Sequence, residues 1–146
     1  MTGPTAVMMR RKAVVVDPIR VVVADDSPVR AVVAEALRGA GIRVVGETAD
    51  GLAALELVRT HHPQVALVGD RLPGMHGAAI ATAVRREGLP TRVLLLSADT
   101  DRRVADTAAE EGVAGSLSRR ATRADIVETV LICSDGAGVW TRHVHD

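Results

Sequence analysis

The residues of this chain best suited to chemistry stand in short groups that close apolar runs. Asp25-Asp26 follows Val21-Val22-Val23-Ala24, Gly69-Asp70-Arg71 follows Val65 to Val68, Ser97-Ala98 follows Arg92 to Leu96, and Arg119-Arg120 follows Val113 to Leu117. Carboxylates, a hydroxyl and guanidiniums brought together act through charge. A guanidinium stays protonated at every ordinary pH and can fork onto a carboxylate through two hydrogen bonds. The plain alternative for each group is a solvated loop, and for Asp70 it is a hydrated loop acid. The histidines carry less: His61-His62 sits near a helix end, where positive charge suits the dipole. His76 is placed to bond Asp70 or merely to vary at the surface, and His143, His145 and Asp146 read as a solvated terminus rather than metal ligands.

Composition removes several classes of function. With 18 basic and 18 acidic side chains the chain has no net field to draw a nucleic-acid backbone or an anionic membrane. Trp140 is the single aromatic, which excludes base stacking on aromatic platforms. One cysteine, Cys133, allows neither an internal disulfide nor a cysteine zinc cluster and suits a reducing compartment. The apolar stretch after the basic start is broken by Asp17, Pro18 and Arg20 before it reaches signal or membrane length, so a soluble cytoplasmic protein is expected. Arginine dominates over lysine, which occurs only at Lys12, and Ala, Val and Gly are abundant; this usage suggests a GC-rich bacterial gene.

The elements that must position these groups follow a regular punctuation. Residues 1–18 form a leader, 19–133 a repeating unit and 134–146 a tail. Within the unit, Val21–Ala24 reads as a strand and Ser27-Pro28 as the cap and first residue of a helix reaching Leu37. Strand then helix recurs as Ile42–Val45 with Asp50-Gly51 to His61, Val65–Val68 with Ala78 to Arg86, Arg92–Leu96 with Asp101 to Glu110, and Val113–Leu117 with a helix capped by Thr122 that ends near Ile132. Short, β-branched, continuously apolar strands are those of a parallel sheet covered on both faces. The fold class is therefore α/β, doubly wound, and its chemistry belongs beyond the carboxyl ends of the strands, where the charged groups lie.

The segments VVVADDSPVR, PQVALVGDRLPGMHG, VLLLSA and GVAGSLSR, in that order, resemble the receiver domain of bacterial two-component response regulators over Arg20 to Ile132. The resemblance implies the three-layer (βα)5 fold of flavodoxin-like and CheY-like proteins, with a central five-stranded parallel sheet. It also implies phosphoryl transfer from a partner kinase's histidine to an aspartate. In that pattern Asp25 and Asp26 match the acidic pair that holds Mg²⁺, the carbonyl of Arg71 a further ligand, and Ser97 the hydroxyl that grips the phosphoryl oxygens. Three positions depart from it. The acceptor lies four residues before the loop proline, Pro73, and this is Gly69, which has no side chain; the lysine position holds Arg119; and the aromatic that acts as an inward switch is replaced by Ser116.

Asp70 is one residue beyond the vacant place, and strand alternation turns it to the opposite face, so it is a weak substitute acceptor. With a carboxylate lost, Mg²⁺ binding at Asp25 and Asp26 is weak if it occurs at all. Arg119, together with Arg71, is then expected to close onto the acidic pair in place of metal and lysine; the competing expectation is that Arg119 points to solvent. The expected function is that of an atypical, non-enzymatic receiver that signals by phosphorylation-independent contact with proteins, needing no cofactor. A sensor kinase or another regulator is the expected partner, and a homodimer would use the fourth helix, fifth strand and fifth helix. Two alternatives are an Mg²⁺-dependent phosphoacceptor using Asp70 and a small-molecule sensor using the space at Gly69. No direct binding to nucleic acid is expected, since Gly136-Ala137-Gly138 and the residues after it are too few for an output domain, and Trp140 is read as an anchor docking on the domain or on a second subunit.

Overall fold

The computed structural model describes residues 18–97 and 112–135. They form β1 (Arg20–Ala24), α1 (Val29–Gly39), β2 (Arg43–Thr48), α2 (Gly51–His61), β3 (Val65–Gly69), α3 (Gly77–Arg86), β4 (Arg92–Ser97), β5 (Gly115–Ser118) and α4 (Arg123–Ser134). The strands make one parallel five-stranded sheet in the order β2-β1-β3-β4-β5. This is a doubly wound, CheY-like order, whose direction of winding reverses between β1 and β3.

Period-two alternation divides the sheet's side chains between two apolar layers. Val21, Val23, Leu67, Leu94, Leu96 and Leu117 pack with Val33 and Leu37 of α1 and Ile126 and Val130 of α4. Val22, Ala24, Ala66, Val68 and Leu95 pack on the other face with Ala54, Leu55 and Val58 of α2 and Ile80, Ala81 and Val84 of α3. Both faces are covered, so the strands read as unbroken apolar runs. Burying each such aliphatic side chain favours the fold by about 1.5–3 kcal/mol, and no aromatic is needed.

Local signals set the helix ends. Asp50 Oδ2 accepts from Ala53 N at 2.9 Å and Thr122 Oγ1 from Asp125 N at 3.1 Å, as N-cap side chains do. Pro28 already has helical angles, φ −59° and ψ −16°, and Ser27 Oγ accepts from Val29 N at 3.2 Å. At the other end of α2, His62 closes the helix in the left-handed conformation at φ 46°.

Several boundaries differ from the sequence expectation. β2 runs to Thr48 rather than stopping at Val45, and its register against β1 skips one residue between Val21 and Val22. As the edge strand it exposes polar residues, which hide its length from a search for apolar runs. β5 begins at Gly115 rather than Val113, although Val113 is buried. α4 continues two residues past Ile132, to Ser134. The leader up to Asp17, the helix expected at Asp101 to Glu110 and the terminal residues including Trp140, His143 and His145 lie outside the described residues. No helix among the described residues is long and apolar enough to cross a membrane.

Candidate functional site

The ends of β1, β3, β4 and β5 bring together Asp25, Gly69, Asp70, Ser97 and Arg119. Asp25 is the first residue beyond β1. Its amide donates to Thr48 O at 3.0 Å, its side chain is fully buried, and Ser27 N donates to its Oδ1 at 3.3 Å. Arg119 follows β5, with its amide donating to Ser97 O at 3.0 Å. From there its guanidinium forks onto Asp25, with Nε to Oδ2 at 3.1 Å and Nη2 to Oδ1 at 3.3 Å. A third contact runs from Nη1 to Asp70 Oδ1 at 3.4 Å. Burial works against the charged guanidinium, but the bonds and charges of Asp25 and Asp70 outweigh it and hold the Arg119 pKa above its ordinary value.

Asp70 does not turn away as strand alternation implied. β3 ends at Gly69 and residue 70 is already in a turn, so the two-residue rule lapses one position too early to govern it. Its amide donates to Leu96 O at 3.0 Å, and its carboxylate lies between Arg119 and Ser97, whose Oγ donates to Oδ2 at 3.3 Å. A Cβ built on Gly69 would stand 2.9 Å from Arg119 Nη2, 3.5 Å from Asp25 Oδ1 and 3.6 Å from Leu72 Cγ. The space expected to admit a small ligand at Gly69 is therefore taken up by the guanidinium.

Other expected participants are not drawn in. Asp26 is exposed and takes no part in the Arg119 fork, so the two neighbouring acids do not act as one pocket. Arg71 is exposed and makes no ion pair with Asp25 or Asp26 among the described residues. Among the described residues the cation that closes onto Asp25 is Arg119 alone, and its second acid is Asp70 rather than Asp26. His76 is exposed and makes no hydrogen bond to Asp70. Ser116 is buried in β5 beside Leu95, and its Oγ has no hydrogen-bond partner among the described residues. One contributor was not foreseen: Arg30 Nη1 donates to Asp25 O at 3.0 Å. Its place in the first turn of the helix that follows the acid was the only sequence signal for it.

The resemblance to receiver domains implies a Mg²⁺ ion at this end of the sheet, and the residues present do not fit one. A hard cation needs several charged oxygens directed at a common point. Here Asp25 and Asp70 are turned onto a fixed guanidinium, Asp26 faces solvent and residue 69 offers no oxygen from a side chain.

Residues 21–131 match the family model described as the response regulator receiver domain. The chain belongs to that family. The receiver is 49% identical over 125 residues to the probable transcriptional regulatory protein NarL of Mycobacterium tuberculosis, a match covering 84% of this chain and 58% of that protein. It is also 28% identical over 131 residues to the transcriptional regulatory protein PdtaR of the same organism, covering 89% of this chain and 61% of PdtaR. The chain thus spans under two thirds of the length of these relatives. Among solved structures, the signal receiver domain of M. tuberculosis NarL superposes with a TM-score of 0.81 at 49% identity, covering 83% of this chain and 99% of that one. The isolated receiver domain of Salmonella RcsB, at 16% identity and a TM-score of 0.76 over 88% of this chain and 97% of that one, shares the fold.

Proposed function

We propose that this receiver is an atypical one, a non-enzymatic module of two-component signalling that passes its signal by holding protein partners, without forming an acyl phosphate. The observation that carries the reading is the Arg119 guanidinium, which forks onto buried Asp25 and fills the space where a side chain at residue 69 would begin. On the family pattern Gly69 stands in the acceptor's place, Arg119 in the lysine's and Ser116 in that of the aromatic switch. A buried carboxylate needs a compensating charge, and here it has a permanent one from within the chain. The domain then holds one electrostatic state with no metal and no donor. Its partners on this reading are a sensor kinase or another regulator, met in the cytoplasm, or a second copy through the face of β5, α4 and the helix expected at Asp101 to Glu110. Control of transcription, the role in the names of the mycobacterial relatives, would be the output of the assembly it joins.

A second reading rests on one observation: the carboxylate of Asp70 faces the site and could serve as the acceptor. The two separate cleanly. After incubation with acetyl phosphate or beryllofluoride and Mg²⁺, the intact mass and melting temperature of the wild type are expected to stay unchanged. A mass increase of one phosphoryl group that disappears in Asp70→Asn establishes the second reading instead. The double variant Gly69→Asp with Arg119→Lys is expected to gain both Mg²⁺ affinity and labelling by acetyl phosphate. If it gains neither, the assignment of Gly69 to the acceptor's place fails.

A further inference from the structure

We propose that Asp70 is a positioning residue, a latch whose carboxylate serves as a built-in anion for Ser97 and Arg119 and thereby fixes the loop between β3 and α3. Its two oxygens are divided between two strands. Oδ2 takes the Ser97 hydroxyl at 3.3 Å from the end of β4, and Oδ1 takes Arg119 Nη1 at 3.4 Å from just beyond β5. Ser97 is only 3% exposed and the Asp70 side chain 23%, so these bonds lie in a partly dry setting where charge-assisted hydrogen bonds strengthen.

The far end of the same loop is fastened differently. Gly51 N, at the start of α2, donates to Pro73 O at 2.8 Å, and a Cβ on Gly51 would lie 2.0 Å from Met75 O. Gly74, at φ +83°, passes so close to Asp50 that a Cβ there would lie 2.6 Å from its Oδ1. Backbone bonding and close packing hold that end. At the Asp70 end a backbone bond from Asp70 N to Leu96 O is joined by two side-chain bonds to one carboxylate, and those two bonds are the fastening a single charge change can release. With the latch closed, the ends of β3, β4 and β5 and the start of α2 form one tied unit. Any partner then meets that surface in the same shape whatever the phosphorylation state of its kinase. The latch rests on the proposed reading in one respect only, that no phosphoryl group stands on this site.

Hydrogen exchange read by mass spectrometry on the full chain tests it. In Asp70→Ala the amides of residues 70–72 are expected to exchange about fivefold to tenfold faster than in the wild type, the effect of losing a partly exposed charged contact, while that of Gly51 at the far end keeps its rate. Asp70→Asn, which keeps the shape and loses the charge, is expected to accelerate them nearly as much. Asp26→Asn, at an exposed acid outside the cluster, is expected to leave them unchanged. Asp25 keeps its Arg119 fork in all three variants, so each should fold. Unchanged exchange in a folded Asp70→Ala overturns the latch, and so does an Asp70→Asn variant that behaves as wild type. An acyl phosphate on the wild type defeats the phosphorylation-independent reading instead, which the mass measurement detects separately.

Discussion

Arg119 and Arg123 lie one helical turn's worth of sequence apart, and each bonds a carboxylate, but in opposite surroundings. Arg123 Nη2 meets Glu35 Oε1 at 2.9 Å across α4 and α1, with side chains 61% and 72% exposed. Arg119 meets Asp25 at the longer distance of 3.1 Å, with side chains 21% and 0% exposed. Ranked by distance, the surface pair comes first. Ranked by consequence, it comes last, because exposed pairs exchange water for each other almost evenly and contribute about 0–1 kcal/mol. The buried pair is different in kind. Forming it recovers little beyond the cost of taking two charges out of water, but removing one partner leaves the other stranded. The contrast shows where the fold is committed: the charge centre at the strand ends is a constraint that the rest of the domain must satisfy, while the outer pairs are adjustable.

The sharpest way to break this contrast is Arg119→Ala. Among the described residues Asp25 would keep only the amide of Ser27 on its carboxylate, at 3.3 Å, and the domain is expected to lose about 3 kcal/mol in urea unfolding, toward the low end for a buried pair because Arg119 is partly exposed. Adding Asp25→Asn to that variant is expected to return part of the loss, since a neutral amide in the same place has no charge to strand. The two changes should therefore sum to less than their separate costs. A strictly additive pair would show that the fork is no constraint at all.

A buried acid without a forked guanidinium gives an intermediate case. Cys133, on α4, is fully buried in the layer shared with α1. Burial pushes its thiol up from an ordinary value of 9.0 to about 11, with Arg92 nearby pulling in the opposite direction. In the unfolded chain the thiol ionises near its ordinary value, and in the folded chain it resists. The stability tied to the neutral thiol is therefore complete below pH 9 and drains away as pH rises from about 9 to about 11. The expected decline is up to about 3 kcal/mol. Cys133→Ala should flatten that part of the profile, and an unchanged alkaline slope in the variant would assign the decline to other groups.

The same contrast between strand ends and surfaces explains what was legible in the sequence. The alternation of apolar runs with capped helices gave the layers, and Asp50 and Thr122 marked helix starts because their side chains bond local amides. That Asp25, Ser97 and Arg119 come together was legible because each closes an apolar run, and the strand ends of a doubly wound sheet converge. The pairing of Arg119 was not fully legible. Asp26 sits two residues past the end of β1 and Asp70 one past the end of β3, where a single step decides whether a side chain follows the pleat. The pleat ends at Gly69, so Asp70 enters the cluster. The turn after Asp25 leaves Asp26 outside. Such one-residue limits depend on backbone bonds, such as that from Asp70 N to Leu96 O, which leave no mark on composition or periodicity.

The surface member of the comparison gives the smallest expected effect and checks the others. Glu35→Gln removes the charge opposite Arg123 while leaving α1 its helical character, and its cost is expected to stay within about 0.5 kcal/mol. Raising the salt to about 1 M, where screening acts over roughly 3 Å, should erase even that difference between wild type and variant. The same salt should leave most of the Arg119→Ala deficit in place, because water and ions reach Asp25 poorly and its stranded charge is a desolvation cost rather than a screened attraction. If both deficits shrink alike with salt, then Asp25 is in contact with solvent in solution and the distinction between the two arginines disappears.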